Sequence, residues 1–195
     1  MYIAQSKNIF VRLPLSEDIA KLTDWYRNTE HLEYVSGNTF YSSKLLREVF
    51  SKTISNSYKK FPDELLLICE LKNGGDEIGY ILYPKINWLG RSAEIQIALD
   101  SSYRNKIYGI EIALLSFYTA YRSFNINSLY MMVIAENIKM KRMLQRVDFR
   151  HCGTLKQHAY KNNKMVDVEV YQGGAELMRA TSNMTRFARL YNLYE

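Results

Sequence analysis

The feature that most constrains the fold is a strand-like segment enclosed by two helix-like segments. Apolar residues at helical spacing follow Gly109, and a second, basic helix is predicted over Asn137–Val147. Between them, Ser128–Ala135 (SLYMMVIA) is almost continuously apolar, which is typical of a strand buried on both faces. Such a strand requires helices on both sides of its sheet, so we expect an α/β architecture with a mixed (α+β) sheet.

The other patterns extend this architecture in both directions. Asn8–Leu13 alternates like a short strand, Ser16 is expected to cap a first helix, and a second helix is predicted after Ser42 or Ser43. Further strands are predicted over Glu64–Leu71, Glu77–Tyr83, Ser92–Asp100, Phe149–Leu155 and Val166–Tyr171. The predicted order is therefore β-α-α-β-β-β-α-β-α-β-β, with a loop over Pro84–Arg91.

The C-terminal part is expected to be a helical extension. Gln172–Gly174 predicts a hinge, which divides the chain into a domain over 1–172 and an extension over 173–195. A helix is predicted from Ala175 to about Tyr194. Its apolar stripe comprises Leu177, Ala180, Met184, Phe187, Tyr191 and Tyr194. Packing of this stripe on the domain is the simpler interpretation, and a homodimer contact is the alternative.

Composition, net charge and cysteine spacing limit which partners and which cellular compartment we expect. The chain has 195 residues, of which 47% are hydrophobic, and a formal net charge of +6. This charge suits an anionic cofactor, and because no recognised nucleic-acid motif accompanies it, we do not expect a nucleic-acid partner. No membrane span, secretion signal or metal-ligand spacing is evident, so we expect neither a membrane nor a metal. The distant Cys69 and Cys152 favour a reducing cytoplasm.

A basic turn precedes the helix that follows Gly109. Arg104–Gly109 (RNKIYG) lies between a predicted strand and that helix, whose free N–H groups and dipole favour an anion. Arg104 and Lys106 add positive charge. A pyrophosphate suits this turn better than a metal does. Because basic turns before helices are common, an ordinary surface turn is the alternative on this motif alone.

Three longer segments carry a family resemblance. They read AEIQIALDSSYRNKIYG, SLYMMVIAENIKMKRMLQRVDF and GTLKQHAYKNNKMVDVEVY. Together they resemble the GNAT superfamily of acyl-CoA-dependent N-acetyltransferases, in the branch of ribosomal-protein N-terminal acetyltransferases and spermidine N-acetyltransferase. The family loop [QR]-x-x-G-x-[GA] is matched at Arg104 and Gly109, and the helix pattern N-x-x-A-x-x-x-Y-x-x-x-G-F at Asn137 and Phe149. The C-terminal strand pair matches at Gly153, Leu155, Asp167 and Tyr171.

The resemblance, which spans roughly residues 9–171, implies a GNAT fold with acetyl-CoA as co-substrate. Acetyl-CoA would lie in a V-shaped opening between two splayed parallel strands. Backbone groups from Ile97 to Leu99 would pair with the pantetheine arm, and Asn137 would contact the same arm.

The same resemblance implies a set of phosphate-binding residues. The pyrophosphate would be held by the loop and the first helical turn, comprising Arg104, Asn105, Lys106, Ile107, Tyr108, Gly109 and Ile110. Lys139, Lys141 or Arg142 would reach the nucleotide phosphates. A solvated helix face is the alternative for each of these three cations.

The expected chemistry follows from what amide formation needs. A carboxylate or a water chain must take a proton from the amine, and a backbone N–H must stabilise the oxyanion. The resemblance implies Glu94 as general base or amine anchor. The alternative is a structural ion pair with Arg91 or Lys85. Gln96 lies two residues on, shares the face of Glu94, and is expected to orient the acceptor.

The chain departs from the family pattern at three positions. Ile107 replaces the first loop glycine, Asp148 replaces the glycine before Phe149, and Leu144 stands where a leaving-group tyrosine is expected. Ile107 can still donate its N–H if its φ is negative. Leucine gives no proton, which predicts a loss of about 10²–10⁴ in rate unless another group acts. The alternative donors are Tyr108, Tyr130 and Tyr160.

The resulting hypothesis is a cytoplasmic enzyme that moves acetyl from acetyl-CoA to a primary amine. A small-molecule acceptor is expected, such as an aminosugar, a polyamine or an antibiotic. A pocket for it is expected to involve Glu30, Glu33, Tyr34 and Tyr41. Two alternatives stay open, namely a protein N-terminal acetyltransferase and a catalytically weakened acyl-CoA-binding sensor or interaction domain.

Overall fold

The computed structural model describes residues 2–27, 42–104, 107–161, 163–178 and 182–193. Its strands are β1 (Tyr2–Gln5), β2 (Ile9–Arg12), β3 (Leu65–Leu71), β4 (Glu77–Tyr83), β5 (Ile86–Asn87), β6 (Ser92–Glu94), β7 (Gln96–Leu99), β8 (Ser128–Ile134), β9 (Arg150–Lys161) and β10 (Lys164–Gly174). Its α-helices are α1 (Asp18–Arg27), α2 (Ser43–Ser57), α3 (Tyr108–Ser123), α4 (Ile138–Arg146) and α5 (Asn183–Leu190). Short 3₁₀ turns lie at Ser101–Tyr103 and Ala175–Met178.

The strands form two five-stranded sheets that meet within one predicted strand. The first sheet has the order β1-β2-β3-β4-β7 and the second has the order β5-β6-β8-β10-β9. The strand predicted over Ser92–Asp100 is interrupted at the fully buried Ile95. Before it, β6 pairs with β8 in parallel, and after it, β7 pairs with β4 in antiparallel fashion. We call this point of divergence the fork.

Helices cover both faces of the sheets, as the sequence predicts. On one face α3 and α4 complete the largest apolar core, to which α3 contributes Leu114 and Phe117. On the other face α1 and α2 pack against the first sheet through Leu22, Trp25 and Phe50. The mixed α/β fold class is therefore confirmed. Of the helices that the structure describes, none is long and apolar enough to cross a membrane.

The hinge predicted at Gln172–Gly174 is wrong, because these residues form the last part of β10. Gly173 fits there because a Cβ atom would lie 2.4 Å from a Leu177 side-chain atom and 2.6 Å from the Phe149 ring. Close packing, rather than backbone freedom, therefore requires this glycine. The boundary at residue 172 between the domain and the extension stays a prediction.

The C-terminal residues pack on the rest of the chain. Of the predicted stripe, Leu177 is buried in the largest core, and Phe187 and Tyr191 pack half-buried against it. The Lys7 N–H also donates to the Tyr191 carbonyl at 2.8 Å. For these three stripe residues the packing interpretation is confirmed. The single helix predicted from Ala175 is wrong in extent, since a 3₁₀ turn precedes α5. Ala180, Tyr194 and the side chain of Met184 lie outside the described part of the chain.

Two further strands escaped prediction, and two are longer than predicted. β1 precedes the first predicted strand, and β5 lies within the predicted loop over Pro84–Arg91. Both are four residues long or shorter, so they carry little periodicity. β9 and β10 each extend well beyond their predicted limits as a long hairpin.

Candidate active site

An open strand edge forms one side of the fork. The Asp100 N–H donates to the Ile78 carbonyl at 2.8 Å, which fixes the hydrogen-bonding phase of the strand pair that β7 makes with β4. Backbone groups alternate in direction along an antiparallel strand. Those of Ile97 and Leu99 therefore point away from β4, into the fork. They form a row of donors and acceptors suited to an extended amide-containing ligand.

On the opposite side of the fork, the parallel ladder between β6 and β8 ends at the apex, which is the point where the strands separate. The Ile95 N–H donates to the Tyr130 carbonyl at 2.9 Å, and parallel pairing of β6 with β8 ends at the pair of Glu94 and Tyr130. Beyond that pair, β7 pairs with β4, while β8 stays paired with β10 along its other edge, as it is over its whole length. An opening between two splayed strands is the geometry that the resemblance implied for the pantetheine arm.

The N-terminus of α3 lies at the far end of β7. Ile107 stands at its cap position with φ −64° and ψ −20°, and has no polar atom in its side chain to cap the helix. The first-turn N–H groups of Tyr108, Gly109 and Ile110 have no acceptor within the helix. Because φ is negative, the backbone at position 107 does not require glycine. Asn105 and Lys106 lie outside the described residues.

A hydrogen bond from α1 supports the turn between β7 and α3. Trp25 Nε1 donates to Asp100 Oδ2 at 2.6 Å, and the other oxygen of Asp100 accepts from the Ser102 N–H at 2.8 Å. Burial acts to raise the pKa of Asp100, but these hydrogen bonds and the charge of Lys21 outweigh it and hold that pKa below its usual value. The carboxylate therefore holds the start of the loop in place at neutral pH.

The N-terminus of α4 contributes Asn137. Its side-chain oxygen caps the helix by accepting from the Met140 N–H at 3.1 Å, and the residue is 7% exposed. Its amide nitrogen makes no hydrogen bond with a residue that the structure describes, so it remains able to donate. Lys141 is held by Glu169 at 2.8 Å, whereas Arg142 is exposed. Of these two predicted phosphate ligands, Arg142 is the more available.

Three polar side chains surround the carboxylate of Glu94 at the apex of the fork. Gln96 Nε2 donates to Oε1 at 3.1 Å, and the hydroxyl of Tyr130 donates to Oε2 at 3.4 Å. Lys85 Nζ lies 3.6 Å from Oε2. Glu94 itself is only 5% exposed. The predicted shared face of Glu94 and Gln96 is confirmed. Lys85 provides the alternative ion pair, while Arg91 instead bonds to the Asn125 carbonyl.

A surface cavity lies next to this carboxylate. It has a volume of about 410 Å³, and its lining includes Lys85 and Tyr130, two of the three polar neighbours of Glu94. Its other lining residues are Asp63, Pro84, Ile86, Asn87 and Ser92. Charges of both signs therefore border the space. Glu30, Glu33, Tyr34 and Tyr41, which were predicted to line an acceptor pocket, lie outside the described residues.

Leu144 is fully buried in the largest core, so position 144 presents no proton donor. Among the alternative tyrosines, Tyr108 packs on Tyr103 at the far end of β7, and Tyr160 is 54% exposed on β9. Tyr130 alone of these alternatives contacts Glu94. Strand register creates this contact, and local spacing in the sequence does not reveal it.

Asp148 ends α4 in a left-handed conformation, with φ +64°. The Phe149 N–H donates to the Leu144 carbonyl at 3.0 Å, which is the bond of a Schellman turn. Glycine is favoured at this place, and aspartate tolerates it. Both carboxylate oxygens also accept from Asn183, at 2.7 Å from its N–H and 2.9 Å from its side chain. Aspartate thus anchors the start of α5, which glycine cannot do.

Asp148 variants are expected to differ in stability in a fixed order. Alanine loses the contacts to Asn183 and is strained at positive φ, which predicts a loss of about 1–3 kcal/mol in the free energy of unfolding. Glycine loses the contacts alone, and asparagine tolerates the turn but keeps only one of the two acceptor contacts. Urea titration should show aspartate as the most stable and alanine as the least stable, with asparagine and glycine between them. Equal stability of the alanine and asparagine variants would show that neither the turn nor the anchor matters.

A family model described as an acetyltransferase (GNAT) domain matches residues 8–150. The chain belongs to the GNAT family. It is accordingly an acyl-CoA-dependent N-acetyltransferase, with acetyl-CoA as the fitting co-substrate. The matched range includes the fork, the loop and Asn137. No curated protein matches the chain significantly.

Solved structures of other acetyltransferases share this GNAT fold. Spermidine N-acetyltransferase from Vibrio cholerae, in complex with CoA and spermine, has a TM-score of 0.80 and 20% identity over 88% of this chain and 98% of that one. RimJ from Mycobacterium smegmatis, in complex with CoA-disulfide, has a TM-score of 0.78 and 18% sequence identity, over 96% of this chain and 92% of that one. A GNAT-family acetyltransferase from Bacillus anthracis has a TM-score of 0.75 and 16% sequence identity, over 90% of this chain and 99% of that one. At these identities the likeness concerns the fold.

Two further observations bear on cofactors and redox state. Within the described ranges, no group of three or more His, Cys, Asp and Glu side chains is placed to hold a metal ion. Cys69 is buried and Cys152 is exposed, and both are free thiols.

Proposed function

We propose that this GNAT protein transfers an acetyl group from acetyl-CoA to the primary amine of a small molecule in the cytoplasm. The observation that carries the proposal is the buried carboxylate of Glu94, which lies at the apex of the fork beside a cavity of about 410 Å³. Two neighbours of this carboxylate, Lys85 and Tyr130, line the cavity. Glu94 can take a proton from an amine bound there, through one water or directly if the amine displaces Lys85.

The proposed cofactor site follows the open edge of β7. Backbone groups of Ile97 and Leu99 would pair with the pantetheine arm, and the free amide nitrogen of Asn137 would donate to it from the other side. Arg104 and the loop over residues 105–110 would hold the pyrophosphate at the N-terminus of α3. Arg142 would meet the nucleotide phosphates. The support for this placement is the row of backbone groups on β7 that point away from β4 and lead from the helix terminus to Glu94.

The proposed reaction assigns separate tasks at the apex. Glu94 accepts the proton of the attacking amine, and Gln96, which bonds to Glu94, orients the acceptor. The Ile97 N–H points into the fork and is the candidate donor to the oxyanion that develops on the thioester carbonyl. Lys85 is 74% exposed at its side chain, so a cationic amine that reaches Glu94 can displace it.

A small acceptor is supported by the size of the cavity and its polar lining. The Vibrio cholerae relative is a spermidine N-acetyltransferase that binds spermine, and a polyamine, an aminosugar or an amine-bearing antibiotic has dimensions suited to such a space. The RimJ likeness makes a protein N-terminus the alternative acceptor. The buried Leu144 favours a second candidate function, an acyl-CoA-binding sensor with weak catalysis.

Two measurements on the wild-type protein separate these functions. Calorimetry with acetyl-CoA reports binding, and an assay of free thiol in the presence of amines reports turnover. The enzyme is expected to bind acetyl-CoA and to release CoA only when an acceptor is present. Binding without thiol release from any amine would favour the sensor, and an absence of binding would contradict both functions.

A further inference from the structure

Tyr130 occupies the apex of the fork from the side of β8. It is the last residue of β8 to pair with β6, in register with Glu94, and its carbonyl accepts from the Ile95 N–H. Its phenolic hydroxyl donates to Glu94 Oε2 at 3.4 Å. Tyr130 also lines the cavity beside Glu94. One phenol therefore meets the carboxylate, the cavity and the point where the two strands separate.

The proposed course of the cofactor brings the thioester to this phenol. From the N-terminus of α3 to the apex, β7 contributes four residues, or about 13 Å of extended strand. A pantetheine arm that follows this edge has its sulfur end near Glu94 and Tyr130. This step rests on the proposed function, because it takes acetyl-CoA as the ligand of the fork.

We propose that Tyr130 is the acid that protonates the departing thiolate, with Glu94 as the source of the replacement proton. The acceptor reacts as the neutral amine, after the ammonium form has lost a first proton to solvent. Its nitrogen forms a bond to the thioester carbon, and the C–S bond breaks with its electron pair on sulfur. Glu94 takes one proton from the nitrogen. Tyr130 gives its phenolic proton to sulfur and receives the proton held by Glu94. One amine proton has then moved to the thiol, and both side chains regain their starting forms.

The surroundings of Tyr130 suit a proton relay with Glu94 better than they suit a phenol that donates its proton alone. Burial raises the pKa of Tyr130, and the charge and the hydrogen bond of Glu94 raise it further. The phenol therefore stays protonated through neutral pH. It is a poor donor alone, and it becomes a better one when Glu94 carries the proton of the amine. The relay thus couples departure of the thiolate to deprotonation of the acceptor.

Position separates Tyr130 from the other candidate donors. Leu144 offers no proton and lies within the core. Tyr108 is the first residue of α3, at the end of β7 where the phosphates are expected. Tyr160 is solvent-exposed near the tip of the hairpin of β9 and β10. Neither tyrosine lies at the apex, where the sulfur is expected.

Tyr130→Phe tests the assignment, because it removes the hydroxyl and keeps the ring. Tyr160→Phe is the matched control. Spermidine, glucosamine and a dipeptide amide serve as acceptor probes, and the acceptor that wild type acetylates fastest is used for kinetics. For Tyr130→Phe we expect kcat to fall by about 10²-fold or more. The KM for acetyl-CoA and the calorimetric affinity for CoA should stay within about threefold of wild type, because ground-state binding is retained.

The pH profile and a double variant supply readouts that a structural role would not change. In wild type, kcat should decline at alkaline pH as Tyr130 ionises, and Tyr130→Phe should lack this decline. The kcat of the double variant Tyr130→Phe with Glu94→Gln should be no more than about tenfold below that of Glu94→Gln alone. The reason is that substitutions of residues that act as one unit do not have additive effects on rate.

The outcomes separate this assignment from the function on which it rests. A Tyr130→Phe protein with kcat within about threefold of wild type would overturn the relay and leave the acetyltransferase function intact. So would equal losses in kcat and in CoA affinity, which indicate a structural role. A wild-type protein that acetylates none of the probes would overturn the relay together with the proposed small-molecule function.

Discussion

An aspartate at position 107 is expected to weaken acetyl-CoA binding by about 100-fold or more while leaving the free protein slightly more stable. Ile107 stands at the N-terminus of α3 and is 53% exposed, so its replacement sacrifices little apolar packing. A carboxylate in this place interacts favourably with the helix dipole, by about 0.3–1 kcal/mol. The same carboxylate occupies the site that the pyrophosphate would take.

The repulsion of the cofactor should be much larger than this stabilisation. Two like charges about 4 Å apart repel by about 4 kcal/mol at the effective dielectric constant of a protein surface. Since about 1.4 kcal/mol changes affinity tenfold, the dissociation constant should rise by a factor of about 100 or more. Calorimetry with acetyl-CoA measures this change, and urea titration measures the stability.

Ile107→Asn is the matched control, because it has a similar shape and no charge. We expect it to bind acetyl-CoA within about fivefold of wild type, since first-turn N–H groups remain available. If the aspartate and asparagine variants bind acetyl-CoA equally well, the pyrophosphate does not lie at the N-terminus of α3. The opposite signs expected for stability and affinity ensure that misfolding cannot produce the predicted result.

Glu94→Gln is expected to reduce kcat by about 10²–10⁴-fold, the range for loss of a general base. An amide has nearly the shape of the carboxylate but takes no proton from the amine. The loss should be greatest near neutral pH and should shrink as pH rises, because hydroxide then takes the proton of the attacking nitrogen in place of the carboxylate. Affinity for acetyl-CoA should stay close to that of wild type, which calorimetry can verify.

Glu94→Asp serves as the control for this variant, because it keeps the charge and shortens the reach. It should recover part of the activity that the glutamine variant loses. A Glu94→Gln protein with unchanged turnover across pH would remove Glu94 from the mechanism. In that case the contact with Lys85 would stand as a structural ion pair at the edge of the second sheet.

Much of the fold follows from local patterns in the sequence. The helix caps at Ser42 and Asn137 lie where the predicted helices begin, and the apolar run after Ser128 forms a central strand. The divergence at Ile95 could not be predicted in this way, because the alternation of side chains continues through it. Whether a strand pairs with β4 or β8 is decided by distant residues, which a local pattern does not record.

The candidate site also has a part that local sequence predicts and a part that it does not. The basic turn before α3 carries its own signal, because Arg104, Gly109 and the apolar spacing after it are contiguous. The neighbours of Glu94 are not contiguous, since Tyr130 approaches it through the parallel register of β6 with β8. Likewise, Asp148 is a departure from a glycine pattern in the sequence, and its explanation is a contact with Asn183, 35 residues away.

The central claim is transfer of acetyl from acetyl-CoA to a small primary amine. Its most direct test is mass spectrometry of an amine panel incubated with acetyl-CoA and the protein, with the Glu94→Gln variant in parallel. The account predicts that at least one small amine gains one acetyl group with wild type and gains it far more slowly with the variant. Acetylation of peptide N-termini alone, or of no amine at all, would contradict it.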